Sequence, residues 1–201
     1  MNNTKKPHRL FAPLCVGILF VSTVFLAGCQ TILTPLPPSI DHNINAPIQF
    51  DISGKIGIAS TSTGKTQSGS AFYSWKQAGE RFAIGLVGAL GIGTTTISFD
   101  GRTATVDNEL TGPITADTPE QLLQQATGWQ APISQLPHWI VGQNAPSDSS
   151  QDTDGQNRLI KAINGDWAAY FEYKDQDKTP SRLRITHTDG HRIIMTITHH
   201  K

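Results

Sequence analysis

The chain has 201 residues, with 16 lysines and arginines balanced by 16 aspartates and glutamates. This balance, without a stripe in which basic and aromatic residues alternate, excludes the sequence pattern of a nucleic-acid-binding protein. The length allows one domain with a substantial hydrophobic core.

Residues 1–28 have the order of a bacterial signal peptide. Lys5, Lys6 and Arg9 form a basic start, and an apolar run follows over residues 10–26. The run ends at small residues, as expected before a cut site. Leu26-Ala27-Gly28-Cys29 resembles the bacterial lipobox, in which the cysteine thiol takes a diacylglyceryl group and the peptide is cut just before it. A transmembrane anchor is the alternative, since about 17 to 25 apolar residues can span a bilayer, but the shortness of the run favours the signal peptide.

Cys29 is therefore predicted to carry S-diacylglycerol and an N-acyl group, and no other cofactor and no metal is predicted. Cys15 leaves with the signal peptide, so the mature chain has no free thiol, disulfide or thiolate metal site. In proteins with this box, an Asp after the cysteine tends to hold the protein at the inner membrane. Gln30 stands there instead, which predicts a lipid anchor in the outer membrane, on its periplasmic face. The mature chain has 13 basic and 16 acidic residues, a net charge of about −3.

Residues 29–47 are predicted to form a lipidated tether ahead of a folded domain at 48–201. The segment lacks periodicity and contains Pro35, Pro37, Pro38 and Pro47. A proline-rich stretch of this length could extend roughly 55 Å at about 3.1 Å per residue. The folded domain can therefore stand clear of the membrane that holds the anchor.

The folded part is dominated by strand patterns. Phe50, Ile52, Ile56 and Ile58 alternate with mostly polar residues, which indicates a half-buried strand. Further strands are predicted at residues 71–75, 82–86, 95–99, 103–107, 158–163, 167–173, 182–187 and 192–198. Turn signals lie at residues 77–80, 100–101, 164–165 and 189–190. Short strands joined by tight turns predict a meandering antiparallel sheet.

Two helices are predicted between the halves of the sheet. The first begins after Thr118, with Pro119 at its first position and Gln121 in a capping-box arrangement, and ends at Gly128. Its apolar face consists of Leu122, Leu123 and Ala126. The second helix is predicted at 133–141, and residues 147–155 are predicted to be a polar loop without regular structure.

The predicted fold class is mainly β with a few helices, as an incomplete, half-open antiparallel barrel with a helical lid. A twisted sheet of this size tends to curl, and its apolar face must be covered. The curled sheet and the helices enclose either a lipid-sized apolar cavity or a solid core. The pattern alone leaves both possibilities open.

Motifs of common enzymes and metal proteins are not found. The glycine-rich stretch at 85–93 is followed by a strand pattern, whereas a dinucleotide site needs a helix there. The histidines His187 and His191 flank a turn, and His199 and His200 lie at an end that is expected to fray, so all four are predicted to be solvated. There is no Gly-x-Ser-x-Gly elbow, no catalytic residue is predicted, and the chain is not predicted to be an enzyme.

Seven segments after the lipobox occur together, in this order and spacing, in one known family. They are Phe50-x-Ile52-x-Gly54-Lys55-Ile56-Gly57-Ile58, Trp75-Lys76-Gln77, Gly88-Ala89-Leu90-Gly91, Thr118-Pro119-Glu120-Gln121-Leu122-Leu123, Gly128-Trp129, Trp139-Ile140-Val141-Gly142 and Gly165-Asp166-Trp167. On these segments the chain resembles the LolB family, the outer-membrane lipoprotein receptors of Gram-negative bacteria. A departure lies at Ala89, where the family usually has proline.

The resemblance implies an incomplete barrel that accepts acylated lipoproteins from the soluble carrier LolA and delivers them to outer-membrane lipid, acting as a monomer. It also implies that Leu90, with Ala89 and Ile92, forms a loop that touches the bilayer. Residues predicted to contact acyl chains in a cavity are Phe50, Ile52, Phe82, Ile84, Leu86, Trp139 and Ile140. Each of these seven has plain core packing as its alternative.

Two other functions are compatible with the residues. An outer-membrane scaffold lipoprotein would share Cys29 and the β domain without needing a cavity. A membrane-tethered lipid hydrolase would need a nucleophile and a base that the sequence does not display. Binding of a labelled lipopeptide distinguishes the receptor from the scaffold, and turnover of an ester would indicate the hydrolase.

Overall fold

The computed structural model describes residues 47–201 apart from 63–64, 89–93 and 109–111, so that the signal peptide, Cys29 and residues 30–46 of the tether lie outside the described residues. Twelve strands and two helices are present in the part described. In chain order they are β1 (Gln49–Ser62), β2 (Lys65–Ala78), β3 (Arg81–Val87), β4 (Thr94–Phe99), β5 (Ala104–Asn108), β6 (Ile114–Ala116), α1 (Pro119–Thr127), α2 (Leu136–Ile140), β7 (Ser150–Thr153), β8 (Leu159–Asn164), β9 (Trp167–Glu172), β10 (Arg182–His187), β11 (Arg192–Thr196) and β12 (Thr198–His199). None of the described helices is both long and apolar enough to cross a bilayer.

All strands belong to a single antiparallel sheet with two edges. Its order is β6-β5-β4-β3-β2-β1-β11-β10-β9-β8-β7, and β12 pairs with β1 beside β11. Since the path runs from β6 at one edge to β7 at the other, the sheet is open and not a closed barrel. This confirms the predicted mainly β fold, with an unclosed antiparallel sheet and helices between its halves.

The hairpin of β1 and β2 forms the middle of the sheet, and its register decides which residues face the helices. Ile52 lies opposite Trp75, and Ile56 lies opposite Ala71. Side chains alternate between the two faces of a strand, so even positions of β1 and odd positions of β2 share one face. This face carries the core, and we call it the inner face.

The first helix agrees with its prediction. The Thr118 hydroxyl accepts a hydrogen bond from the Gln121 backbone N–H at 3.2 Å, and Pro119 occupies the first turn. Gly128 has a φ of 73° and donates its N–H to the Gln124 carbonyl oxygen, which ends the helix. The sequence therefore predicted both ends of α1 correctly.

The second helix is shorter than the predicted 133–141, because Pro137 interrupts its hydrogen bonds. A proline has no N–H to donate to the carbonyl four residues earlier, so the helical ladder does not extend back to Ile133. Residues 133–135 form a turn, and α2 begins at Leu136. At the other end, the Gly142 N–H donates to the Trp139 carbonyl oxygen at 3.0 Å and closes the last turn tightly.

Three expectations at the second half of the sheet were wrong. Within the predicted loop 147–155, β7 forms an edge strand whose four side chains are all exposed, so it shows no apolar alternation in the sequence. The predicted strand at 192–198 breaks near Ile197, whose N–H donates to the Ser181 carbonyl oxygen. The chain end does not fray, because β12 pairs with β1 and the His200 N–H donates to the Asp51 carbonyl oxygen at 2.9 Å.

Candidate functional site

One end of the inner face is filled by aromatic side chains. Phe50 contacts Trp75 with ring centroids 5.8 Å apart, Trp75 contacts Phe82 at 5.6 Å, and Phe82 contacts Phe99 at 5.9 Å. From the helical side, Trp139 is fully buried in the same cluster. Aromatic rings at these separations pack favourably, so this end of the sheet is a solid core.

Hydrogen bonds fix the two buried tryptophans. The Trp75 indole N–H donates to Gln77 Oε1 at 2.9 Å, and Gln77 Nε2 donates to the Gly79 carbonyl oxygen at 2.6 Å. The Trp139 indole N–H donates to Asp148 Oδ2 at 3.1 Å. A buried polar group without a partner is costly, and these bonds satisfy both indoles while they tie the β2–β3 turn and α2 in place.

The other end of the inner face forms a partly open cavity of about 430 Å³. It lies between the sheet, α1 and the segment that leads from α1 to α2. Its walls are formed by Ile56, Ile58, Gly69, Ser70, Ala71, Tyr73, Trp75, Ile84, Leu86, Thr95, Ile97, Val106, Ile114, Pro119, Leu122, Leu123, Ala126, Thr127, Trp129, Ala131, Ile133, Leu136, Ile193 and Met195. None of these described residues carries a formal charge, so the cavity suits an apolar ligand.

The hollow arises because β2 contributes small residues there. Gly69, Ser70 and Ala71 line the cavity at the level where the aromatic cluster has ended. On the facing side, α1 buries Leu122 and presents Leu123 and Ala126 to the same space. The small residues of the sheet, opposite the aliphatic residues of the helix, leave a gap that no described side chain fills.

Tyr73 forms the boundary between the packed end and the cavity. Its hydroxyl donates to the Thr196 carbonyl oxygen at 3.0 Å, and burial raises the pKa of Tyr73 far above its usual range. Gly54 makes room for this contact, because a Cβ there would overlap Thr196 O and lie 3.1 Å from the tyrosine ring. The phenol is therefore neutral and already hydrogen-bonded, so it adds no charge to the cavity.

The volume corresponds to about one acyl chain. Ligand cavities commonly enclose about 300 to 1,000 Å³, and 430 Å³ lies at the lower end of this range. A water molecule takes about 30 Å³ of liquid, and a methylene group is of comparable size. The cavity thus has space for on the order of fourteen methylene groups.

The structure separates the seven predicted cavity residues into two groups. Ile84 and Leu86 line the cavity, and their contact with acyl chains stays a prediction. The other five lie in or against the packed core, outside the cavity wall: Phe50, Ile52, Phe82, Trp139 and Ile140. Phe50, Ile52 and Phe82 lie on the inner face, as predicted, but they are nearer the β2–β3 turn than the cavity is. The alternation of a strand predicts the face of a residue and not its position along the strand.

Several wall residues were not predicted as site residues, although signals for some were present. Ile56 and Ile58 continue the alternation of β1, and Leu122 and Leu123 form the predicted apolar face of α1. Ile193 and Met195 join them only because β11 pairs with β1, about 140 residues away in sequence. No local pattern predicts that pairing.

The loop residues Ala89, Leu90 and Ile92 lie outside the described residues. His187 was expected to be solvated, but its side chain is only 10 % exposed and its ring lies 4.5 Å from the Trp167 ring.

Within the described ranges, His, Cys, Asp and Glu form no group of three that could hold a metal ion.

Comparison with known proteins gives a consistent family assignment. The family model described as "Outer membrane lipoprotein LolB" matches residues 48–199. An outer-membrane lipoprotein LolB of Stutzerimonas stutzeri is 34 % identical over 154 residues, which cover 74 % of this chain and 70 % of the relative. One of Coxiella burnetii is 32 % identical over 180 residues, 85 % of this chain and 82 % of the relative. A solved LolA superfamily protein of Nitrosomonas europaea aligns with a TM-score of 0.46 and 13 % identity, covering 76 % of this chain and 86 % of that chain.

Proposed function

The chain belongs to the LolB family of outer-membrane lipoproteins, and from this premise we propose that it holds acyl chains of lipoprotein cargo in its cavity before the cargo enters the outer membrane. The observation that carries the proposal is the uncharged cavity of about 430 Å³ between the inner face and α1. A scaffold protein would have no need for such a space. A folded domain normally fills its interior to high density.

The energetics require transfer from one apolar site to another. Burying acyl chains is worth about 0.8 kcal/mol per methylene group. For the fourteen or so methylene groups that fit the cavity, this amounts to roughly 11 kcal/mol, or a factor of about 10⁸ in an equilibrium constant. Free release of one chain into water is therefore too unfavourable to serve as a route.

A downhill sequence of affinities accounts for the direction of transport without a chemical step. We propose that a soluble, LolA-like carrier hands the acylated cargo to this cavity, which binds it more tightly, and that the bilayer is the final acceptor. Cys29 would hold the protein at the outer membrane through its own lipid. The loop with Ala89, Leu90 and Ile92 would contact the bilayer during release.

Blocking the cavity from inside tests the proposal. Ala71 is 6 % exposed and lies on the cavity wall opposite Ile56, so Ala71→Phe places a ring inside the hollow. Ala83→Phe is the matched control, because Ala83 is exposed on β3 between inward-facing Phe82 and Ile84. Affinity for a fluorescent lipopeptide is measured for both variants, with circular dichroism as a check of folding.

We expect at least a tenfold weaker affinity for Ala71→Phe and an unchanged affinity for Ala83→Phe. Equal affinities of the two folded variants would exclude the cavity as the binding site. If the unmodified protein binds no lipopeptide at all, the receptor proposal fails and the scaffold function takes its place.

A further inference from the structure

Two large apolar side chains lie exposed next to each other on the face of the sheet opposite the core. Phe72 is 66 % exposed and Val87 is 56 % exposed, and they are direct cross-strand partners on β2 and β3. We call this side of the sheet the outer face. Single exposed apolar residues are common on proteins, but a pair in the middle of a sheet can mark a contact surface.

The charges of the chain are segregated towards the same face. On the six central strands β3, β2, β1, β11, β10 and β9, alternation directs six basic side chains outwards: Lys55, Lys76, Arg81, Arg182, Arg184 and Arg192. Two acidic side chains, Asp51 and Glu172, point the same way. The outer side of these six strands carries about +4. On the flanking strands Lys161, Asp107 and Asp152 also point outwards, so the face as a whole carries about +3, whereas the mature chain carries about −3.

The ion pairs of this face do not involve Lys55, the basic residue that lies directly opposite Phe72. Asp51 pairs with Lys76 at 3.4 Å, and Glu172 pairs with Arg182 at 3.9 Å. Within the described part of the chain, no ion pair involves Lys55, Arg184 or Arg192. The positive charge beside Phe72 and Val87 is therefore available to an external anion.

Aromatic and basic side chains interleave across the strands. The Lys55 ammonium lies 6.0 Å from the centre of the Phe72 ring, with which it is paired in the register of β1 and β2. On β10, the Arg184 guanidinium stacks 4.2 Å from the centre of the Tyr170 ring. Long basic side chains can keep their charged ends at the level of lipid phosphates while their stems and the neighbouring rings contact the acyl region.

We propose that the outer face around Phe72, Val87 and Lys55 rests on an anionic phospholipid surface, so that the open sheet docks on the membrane through the side opposite its core. The inference rests on the proposed function, because release of cargo into the bilayer requires the protein to lie at the membrane surface. The occupant is a lipid surface because a cationic rim around an apolar centre matches phosphate groups above acyl chains. In the sequence, Val87 also lies two positions before Ala89, the first residue of the predicted membrane-contacting loop.

The test places a lipid-sensitive probe at the apolar pair of the full acylated protein. Once Cys29 is acylated, Phe72→Cys supplies the single free thiol of the mature chain, which is labelled with an environment-sensitive fluorophore. Gln156→Cys, exposed in the β7–β8 turn, is the matched control. Both proteins are inserted into nanodiscs of phosphatidylethanolamine with one quarter phosphatidylglycerol, and into discs of phosphatidylcholine alone. Quenching by spin-labelled lipid and by aqueous iodide is then compared.

We expect lipid-borne quenching and protection from iodide at position 72 in the anionic discs, and free access of iodide at position 156. In the labelled Phe72→Cys protein, Lys55→Glu should lower the ratio of docked to undocked molecules at least fivefold, since each basic residue near an anionic surface contributes about fivefold. Lys174→Glu, at an exposed loop position, should leave the ratio unchanged. Phosphatidylcholine discs should show weaker quenching.

The outcomes separate this inference from the proposed function. Iodide access at position 72 equal to that at 156 overturns the docking surface, even when lipopeptide binding is normal. Protection from iodide without lipid-borne quenching also overturns it, because a protein or a second copy of this chain would then cover the pair. Lipid-borne quenching in a protein that binds no lipopeptide would support the docking surface and refute the receptor function.

Discussion

The close approach of Thr196, at the end of β11, to Gly54 of β1 leads to a prediction about two glycines of one strand. At Gly54 an added Cβ would overlap the Thr196 carbonyl oxygen, whereas at Gly57 it would meet no atom within 4 Å. Neither glycine has a positive φ, so alanine suits the backbone at both positions. Gly54→Ala and Gly57→Ala therefore differ only in the space available to one methyl group.

The difference in stability follows from three contributions. Alanine within a strand is more stable than glycine by about 0.5–1 kcal/mol, and Gly57→Ala should gain this amount. Gly54→Ala gains the same but loses the hydrogen bond from the Tyr73 hydroxyl to Thr196, about 1 kcal/mol, and forces the backbones apart, about 1–3 kcal/mol. The two variants should thus differ by about 3 kcal/mol in free energy of unfolding.

Urea unfolding of the two variants, followed by circular dichroism, measures this difference. About 3 kcal/mol corresponds to a shift of roughly 6–12 °C in Tm for a domain of this size, so thermal melts provide an independent check. Gly54→Ala should also weaken lipopeptide binding, because Tyr73 lines the cavity and would turn into it. Equal stabilities of the two variants would refute the close approach of Thr196 to β1.

Three further predictions concern the loop, a buried amide and an acidic turn. Leu90→Glu should leave lipopeptide affinity unchanged and stop insertion of cargo into vesicles; normal insertion would exclude a role for this side chain in release. Gln77→Leu leaves the buried Trp75 indole N–H without its acceptor and should lower the free energy of unfolding by about 1–3 kcal/mol, and urea titration showing no loss would contradict that network. The backbone N–H of Arg158, and then its guanidinium, hold the pKa of Asp154 below its usual range. The ionised carboxylate therefore stabilises the fold above about pH 3.8, the usual pKa of an aspartate. This stabilisation is lost as the pH falls through the lower pKa of Asp154 in the folded protein. Asp154→Asn should be less stable than the unmodified protein at neutral pH and should show a flatter loss in acid, measured by urea unfolding at several pH values.

The sequence predicted the elements whose signals are local. The cap at Thr118, the stop at Gly128 and the alternation from Phe50 to Ile58 each depend on neighbouring residues, and each corresponds to an observed element. The turn at Asp100 is equally local, because its carboxylate accepts from the N–H groups of Arg102 and Thr103 at 2.8 and 2.7 Å.

Features that depend on distant pairing were not predicted. The edge strand β7 has no buried side chain and exists because β8 pairs with it. The break at Ile197 follows from its bond to Ser181, and the end of the chain is ordered by β1. The division of the inner face into a packed end and a hollow end likewise depends on which side chains of remote strands and of α1 meet there, and an alternating pattern contains no such information.

The size of the cavity bears on how a cargo with several acyl chains could be held. The present volume accommodates about one chain, so on the proposed function a second chain needs additional space. The strands of the wall are fixed by continuous hydrogen-bonded ladders, whereas α1 packs on the sheet through buried Pro119 and Leu122, and its Glu120 carboxylate accepts from the Ser134 N–H of the segment that leads to α2. Moving α1 outwards breaks fewer interactions than opening the sheet. On the proposed function, we therefore expect α1, and not the sheet, to move when more than one chain is bound.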